Sequence, residues 1–146
     1  MSARAALVAA VVVGFVGASF ADDAQKPKKL KRPGLEVRVS PRFSFSPAHL
    51  VFTAELKGGD DQEEYYCPEV EWEWGDGGKS VQEADCDPWK PDTKIERRFV
   101  NRHVFVESGI YETRVTLRKA NRTIVTHSVE VTVRPGGGER PIGTPE

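Results

Sequence analysis

Between Leu35 and Arg134 the chain keeps switching between apolar and polar residues with a period of two. Leu35, Val37 and Val39 share one parity, and Glu36, Arg38 and Ser40 the other. Leu50, Phe52, Ala54 and Leu56 alternate with Val51, Thr53, Glu55 and Lys57, and Val70, Trp72 and Trp74 with Glu69, Glu71 and Glu73. Tyr111, Thr113, Val115 and Leu117 oppose Glu112, Arg114, Thr116 and Arg118. In the last such run Val125, His127, Val129, Val131 and Val133 oppose Thr126, Ser128, Glu130 and Thr132. Each parity occupies one face of a pleated strand, so these runs predict strands with one apolar and one wet face. Weaker strands are expected near Phe43–Phe45, Ser80–Val81 and Ile95–Val100, and no window reads as an amphipathic helix. Strands of this kind, parted by Gly, Pro and Asn turns, predict an all-β antiparallel sandwich of about seven strands over residues 35–134. Lys119-Ala120-Asn121-Arg122 would close the last hairpin, Asn121 being suited to positive φ.

The flanks have no such period. Met1–Ala21 has one early Arg, an uncharged apolar run, and Ser19-Phe20-Ala21 ahead of Asp22. That is the pattern of a secretory signal peptide cut after Ala21. The rival reading is a retained anchor, but the apolar run falls short of the roughly 20 residues a spanning helix needs, and no membrane span is expected after cleavage. The basic stretch Lys26–Arg32 counts against easy export, because positive charge tends to stay cytoplasmic. Residues 22–34 are polar, basic and proline-bearing, and residues 135–146 are rich in glycine and proline, so both read as flexible segments beside the folded part.

Charge sharpens the picture. The 146 residues carry 21 basic and 22 acidic groups, yet the signs are segregated. Residues 22–42 hold seven basic against three acidic groups, residues 60–92 two against twelve, and residues 93–140 ten against five. No single basic face results, which argues against nucleic acid as a partner. Cys67 and Cys86 are the two cysteines. In an exported chain an even count reads as a disulfide, and no ligand spacing around them suggests zinc. The expected location is therefore secreted, periplasmic or cell-surface.

Val70-x-Trp72-x-Trp74-Gly75-Asp76-Gly77 resembles the aromatic-x-Trp-x-Phe-Gly-Asp-Gly signature of the PKD domain, the immunoglobulin-like polycystic kidney disease repeat. His103-Val104-Phe105 stands where that family has His-x-Tyr, and Gly109-Ile110-Tyr111-Glu112-Thr113-Arg114-Val115 is similar to its Gly-x-Tyr-x-Val-x-Leu run. The resemblance implies an immunoglobulin-like sandwich in which Tyr111 turns its hydroxyl back to main chain at a strand corner. It also implies a non-catalytic module for binding proteins or carbohydrates. The chain departs from the family in the insert between Gly78 and Ile95, which contains Cys86, Pro88, Trp89 and Pro91. A disulfide there would pin the insert across one end of the strand that follows Cys67.

Candidate chemistry is sparse. Gly75-Asp76-Gly77 reads as a tight turn in which Asp76 bonds nearby amides, because a catalytic role needs a second group with a complementary pKa. The acidic run Asp60, Asp61 and Glu63 offers hard oxygen ligands, and calcium is the one cofactor it suggests, although the 6–8 oxygens of such a cage are not evident. His49, His103 and His127 have no zinc-ligand spacing, and His127 reads as a hydrogen-bonded core residue. Tyr65, Tyr66 and Trp89 fall in loops beside carboxylates, where they would either stack a sugar ring or peptide side chain, or cap the open end of the sandwich. Asn121-Arg122-Thr123 is a glycosylation acceptor pattern, with meaning only in a eukaryotic secretory route. The expected function is binding to an extracellular or envelope protein or polysaccharide. The alternatives are a structural spacer or assembly subunit, and less favourably a small secreted enzyme, for which no nucleophile arrangement, redox CxxC or phosphate loop is present.

Overall fold

The computed structural model describes residues 28–137, so the expected signal peptide and the outer parts of both flanking segments lie outside the described residues. Eight strands form two stacked sheets. Strands β1 (Gly34–Ser40), β3 (Ala48–Lys57) and β6 (Arg98–Phe105) form a three-stranded sheet in the order β1-β3-β6. Strands β2 (Ser44–Phe45), β4 (Glu69–Glu73), β5 (Lys79–Gln82), β7 (Gly109–Lys119) and β8 (Arg122–Arg134) form the other in the order β2-β8-β7-β4-β5. One short 3-10 turn, Glu63–Tyr65, precedes β4.

Alternation predicted the inward faces well. Leu50, Phe52, Ala54 and Leu56 of β3 and Val70 and Trp72 of β4 are buried, as are Thr113, Val115 and Leu117 of β7. Phe52 lies at the centre, with its ring centroid 5.1 Å from Trp74, 6.4 Å from Trp72 and 6.3 Å from Phe105. Every buried side-chain nitrogen and oxygen among the described residues has a partner. Trp72 Nε1 donates to Gln82 Oε1, Trp74 Nε1 to Ser80 Oγ, and Thr113 Oγ1 to the Trp74 carbonyl. These bonds let polar atoms sit in the core without the desolvation penalty of an unmatched group.

The sandwich is antiparallel as expected apart from one short pair, and two other expectations need correction. β2 runs parallel to β8. After β1 the chain crosses to the other sheet without reversing, so β2 keeps the direction of β1. The strand expected at Ile95–Val100 begins only at Arg98 and runs on through His103 to Phe105, while Ile95 is buried ahead of it. His127 is half-buried on its inward parity and has no side-chain hydrogen bond among the described residues. The last hairpin is as expected, with Ala120 and Asn121 at φ 48° and 62°.

The pairings assign the ends. Gly34, Lys57, Glu69 and the β7–β8 hairpin lie at one end, which also holds the Cys67–Cys86 disulfide. Ser40, Ala48, Phe105, Gly109 and Val133 lie at the other.

Candidate functional site

The Gly-Asp-Gly segment is a turn held from three sides. Gly75 and Gly77 take φ 87° and 93°, and Asp76 Oδ1 accepts the Gly78 amide at 2.9 Å, closing an Asx turn. Asp76 Oδ2 meets His103 Nε2 at 2.6 Å. The His103 ring stacks on Trp74 at 4.4 Å, so the pair ties the turn of one sheet to β6 of the other. Burial works to raise the Asp76 pKa, but the bonds from His103 and the Gly78 amide outweigh it and hold the carboxyl below the ordinary aspartate value. The sequence leaves His103 as much a corner residue as a partner of Asp76, since the two are 27 positions apart and no local period links them. Nearby, the Tyr111 hydroxyl donates to the Glu107 carbonyl at 2.8 Å, the strand-corner bond that the resemblance implies.

The disulfide end separates the three candidate aromatics. Tyr65 is not a surface residue: it is 2% exposed and belongs to the core. The 3-10 turn rotates its ring inward, and burial raises its phenol pKa. Tyr66 donates its hydroxyl to the Asp87 carbonyl at 2.9 Å and packs its ring 5.2 Å from Trp89. Lys119 Nζ donates to the carbonyls of Glu63 and Tyr66 and lies 5.6 Å from the Tyr66 ring centre. Tyr66 and Trp89 therefore hold the insert down and pack, half-buried, against the core at this end of the sandwich.

Two of the three acidic-loop candidates are engaged within the protein. Asp60 Oδ2 accepts the Lys31 amide, while Asp61 faces Arg97 at 2.6 Å and Lys94 at 3.6 Å. The Arg97 hydrogen bond lowers the Asp61 pKa against the opposing effect of burial. Glu63 is exposed and makes no ion pair among the described residues. Among the described residues no group of three or more His, Cys, Asp or Glu side chains is placed to hold a metal ion. Glu69, Glu71 and Glu73 are likewise paired, with Lys79, Arg114 and Arg118 across the outer face of the sheet. The carboxylates of the insert differ. Glu83, Asp85, Asp87 and Asp92 are exposed and make no ion pair among the described residues.

Of these, Glu83 lines a groove. β5 and β6 are the neighbouring edges of the two sheets, and the insert leaves one and returns to the other. Between them opens a groove of about 600 Å³, floored by Val70, Ile95 and Phe99 and bounded by the disulfide. Gln82 bridges its inner wall, accepting from Trp72 and donating to the Val100 carbonyl at 3.1 Å. Sequence reading located the insert and the disulfide but not this groove, which depends on β5 and β6 coming together across 15 intervening residues with no strand among them.

No family model matches the chain, and no curated protein matches it. A search of solved structures finds the PKD domain of an M14-like peptidase from a Thermoplasmatales archaeon, at TM-score 0.50 and 17% identity, covering 72% of this chain and 98% of that one. The fold is thus an immunoglobulin-like sandwich of the PKD type. No helix among the described residues is long and apolar enough to cross a membrane. That observation and the formed disulfide are compatible with an extracellular location.

Proposed function

We propose that this chain is an exported, non-catalytic binding module, and that it engages a protein or polysaccharide at or outside the cell envelope through the groove between β5 and β6. The groove itself carries the reading. Its volume of about 600 Å³ suits a ligand segment, its floor is apolar, and the lining residues Glu83 and Glu96 make no ion pair among the described residues. Export is supported by the signal-like pattern of Met1–Ala21 and by the disulfide. The PKD-type fold supports a module without chemistry of its own, and the two groups nearest to an acid–base pair, Asp76 and His103, are spent on each other.

The test is capture of partners from envelope and culture-fluid fractions by the immobilised, oxidised chain. Val100 lines the groove and is exposed, so Val100→Lys should abolish capture while the far-ultraviolet circular dichroism stays unchanged. Capture should also weaken as salt screens Glu83 and Glu96. Capture by the folded variant equal to that of wild type would overturn the proposal, as would a reaction turned over by wild type and lost in a folded Asp76→Ala.

A further inference from the structure

The two ends of the sandwich differ in a complementary way. At the end remote from the disulfide, Phe43 is 76% exposed, Phe45 59%, Val106 67% and Ile110 70%. A soluble monomer scatters its exposed apolar side chains, and a cluster of large ones marks a contact surface. These four belong to the β1–β3 connection, the β6–β7 loop and the first residues of β7, which the pairings Ala48↔Phe105, Phe45↔Arg134 and Ile110↔Thr132 bring to one tip. The Arg134 guanidinium lies 5.9 Å from the centre of the Phe43 ring, and Arg42 adjoins it in the chain. Neither arginine is in an ion pair among the described residues. The tip is therefore apolar, and its two arginines outnumber the one exposed carboxylate of the β6–β7 loop, Glu107.

The groove at the disulfide end presents the matching features. Val70, Ile95 and Phe99 give it an apolar floor, Glu83 and Glu96 line it without an ion pair among the described residues, and the insert carries Asp85 and Asp87 next in the chain to the lining residues Ala84 and Cys86. Of the two cations that line it, Lys94 is engaged by Asp61, which leaves Arg98 as the opposing charge on that wall. Aromatic side chains that enter a desolvated pocket dominate association energies, and complementary potentials orient the partners. Each copy carries both halves of such a contact on different ends, so neither end can satisfy the other within one molecule.

We propose that the tip of one copy docks in the groove of the next, with Phe43 and Phe45 seated on the apolar floor and Arg42 and Arg134 facing the carboxylates of the insert. This rests on the groove being the binding face and names a second copy of the chain as its partner. The contact is heterologous, so it repeats from copy to copy and gives open chains or closed rings rather than a twofold dimer.

Sedimentation of the full chain recovered from an oxidising secretion host tests the proposal. Wild type should grow in mass beyond a dimer as concentration rises, and less so at high salt. A tip variant, Phe43→Asp with Phe45→Asp, and a groove variant, Asp85→Lys with Asp87→Lys, should each remain monomeric alone. Mixed in equal amounts they should form a dimer and nothing larger, because each retains one working end. All four positions are exposed, so folding should persist and circular dichroism checks it. A wild type that stays monomeric at every concentration overturns the proposal. So does association that survives both variants, as pairing along the open edge of β8 would, or a tip whose only binding is to anionic phosphatidylglycerol vesicles. If wild type is monomeric while Val100→Lys still abolishes capture of a foreign partner, the binding-module reading stands and head-to-tail assembly falls.

Discussion

Gly75 and Gly77 provide a matched pair for asking what the Gly-Asp-Gly turn does. Both hold positive φ, 87° and 93°, so alanine at either should incur the penalty of an L residue in the left-handed region, roughly 1–2 kcal/mol. Their surroundings differ. A Cβ on Gly77 would meet nothing within 4 Å, whereas one on Gly75 would lie 2.7 Å from the Glu112 carbonyl oxygen and 3.0 Å from its amide nitrogen. Glu112 is main chain in the middle of β7, fixed by its pairing with Glu130 of β8, so it cannot move aside as a flexible side chain would. Forcing an extra carbon into such a contact adds roughly 1–3 kcal/mol. Gly77→Ala should therefore lose about 1–2 kcal/mol and Gly75→Ala about 2–5 kcal/mol. Urea titration followed by tryptophan fluorescence measures both, with unchanged m-values showing that the native and denatured states are otherwise comparable. Equal losses for the two variants would refute the steric argument, and a negligible loss at Gly77 would refute the conformational one.

Three further outcomes follow from named contacts. Removing the disulfide with Cys67→Ser and Cys86→Ser releases a loop with a sequence separation of 19, and should cost roughly 3 kcal/mol in the chain-entropy model, read as the gap between the urea midpoints of oxidised protein and variant. Asp76 has a folded pKa below its unfolded value, so its contribution is present above the unfolded value and disappears as pH falls through the folded one; stability measured from pH 7 to 2 should fall less steeply at the acid end in Asp76→Asn than in wild type. Tyr111→Phe removes only the bond to the Glu107 carbonyl and should lower stability by about 1 kcal/mol, while a change indistinguishable from zero in a thermal melt would mean that solvent replaces that bond without loss.

The sandwich was largely legible because the signal for it is local. Each strand writes its own period of two, and Leu50 through Leu56, Val70 through Trp74 and Thr113 through Leu117 are buried in register with that pattern. The Asx turn at Asp76 and the hairpin at Asn121 were legible for a similar reason, since positive φ and short-range amide bonding are properties of a few adjacent residues. Tyr65 was misread because a 3-10 turn carries no apolar period, so nothing in Glu63-Glu64-Tyr65 signals which way its last ring points.

The residues alone therefore determined two facing sheets, a turn at Gly75–Gly77 and a link between Cys67 and Cys86, all of which follow from side-chain alternation, backbone freedom and thiol chemistry. Only the tertiary structure decided that His103 closes on Asp76, that Tyr66 packs on Trp89 and anchors the insert, and that β5 and β6 leave a groove between them. It alone placed the apolar, arginine-bearing tip at the end opposite the free carboxylates. The physical reason is common to all of these: each joins groups far apart in the chain, and their distances are set by how the sheets stack rather than by any spacing along the sequence.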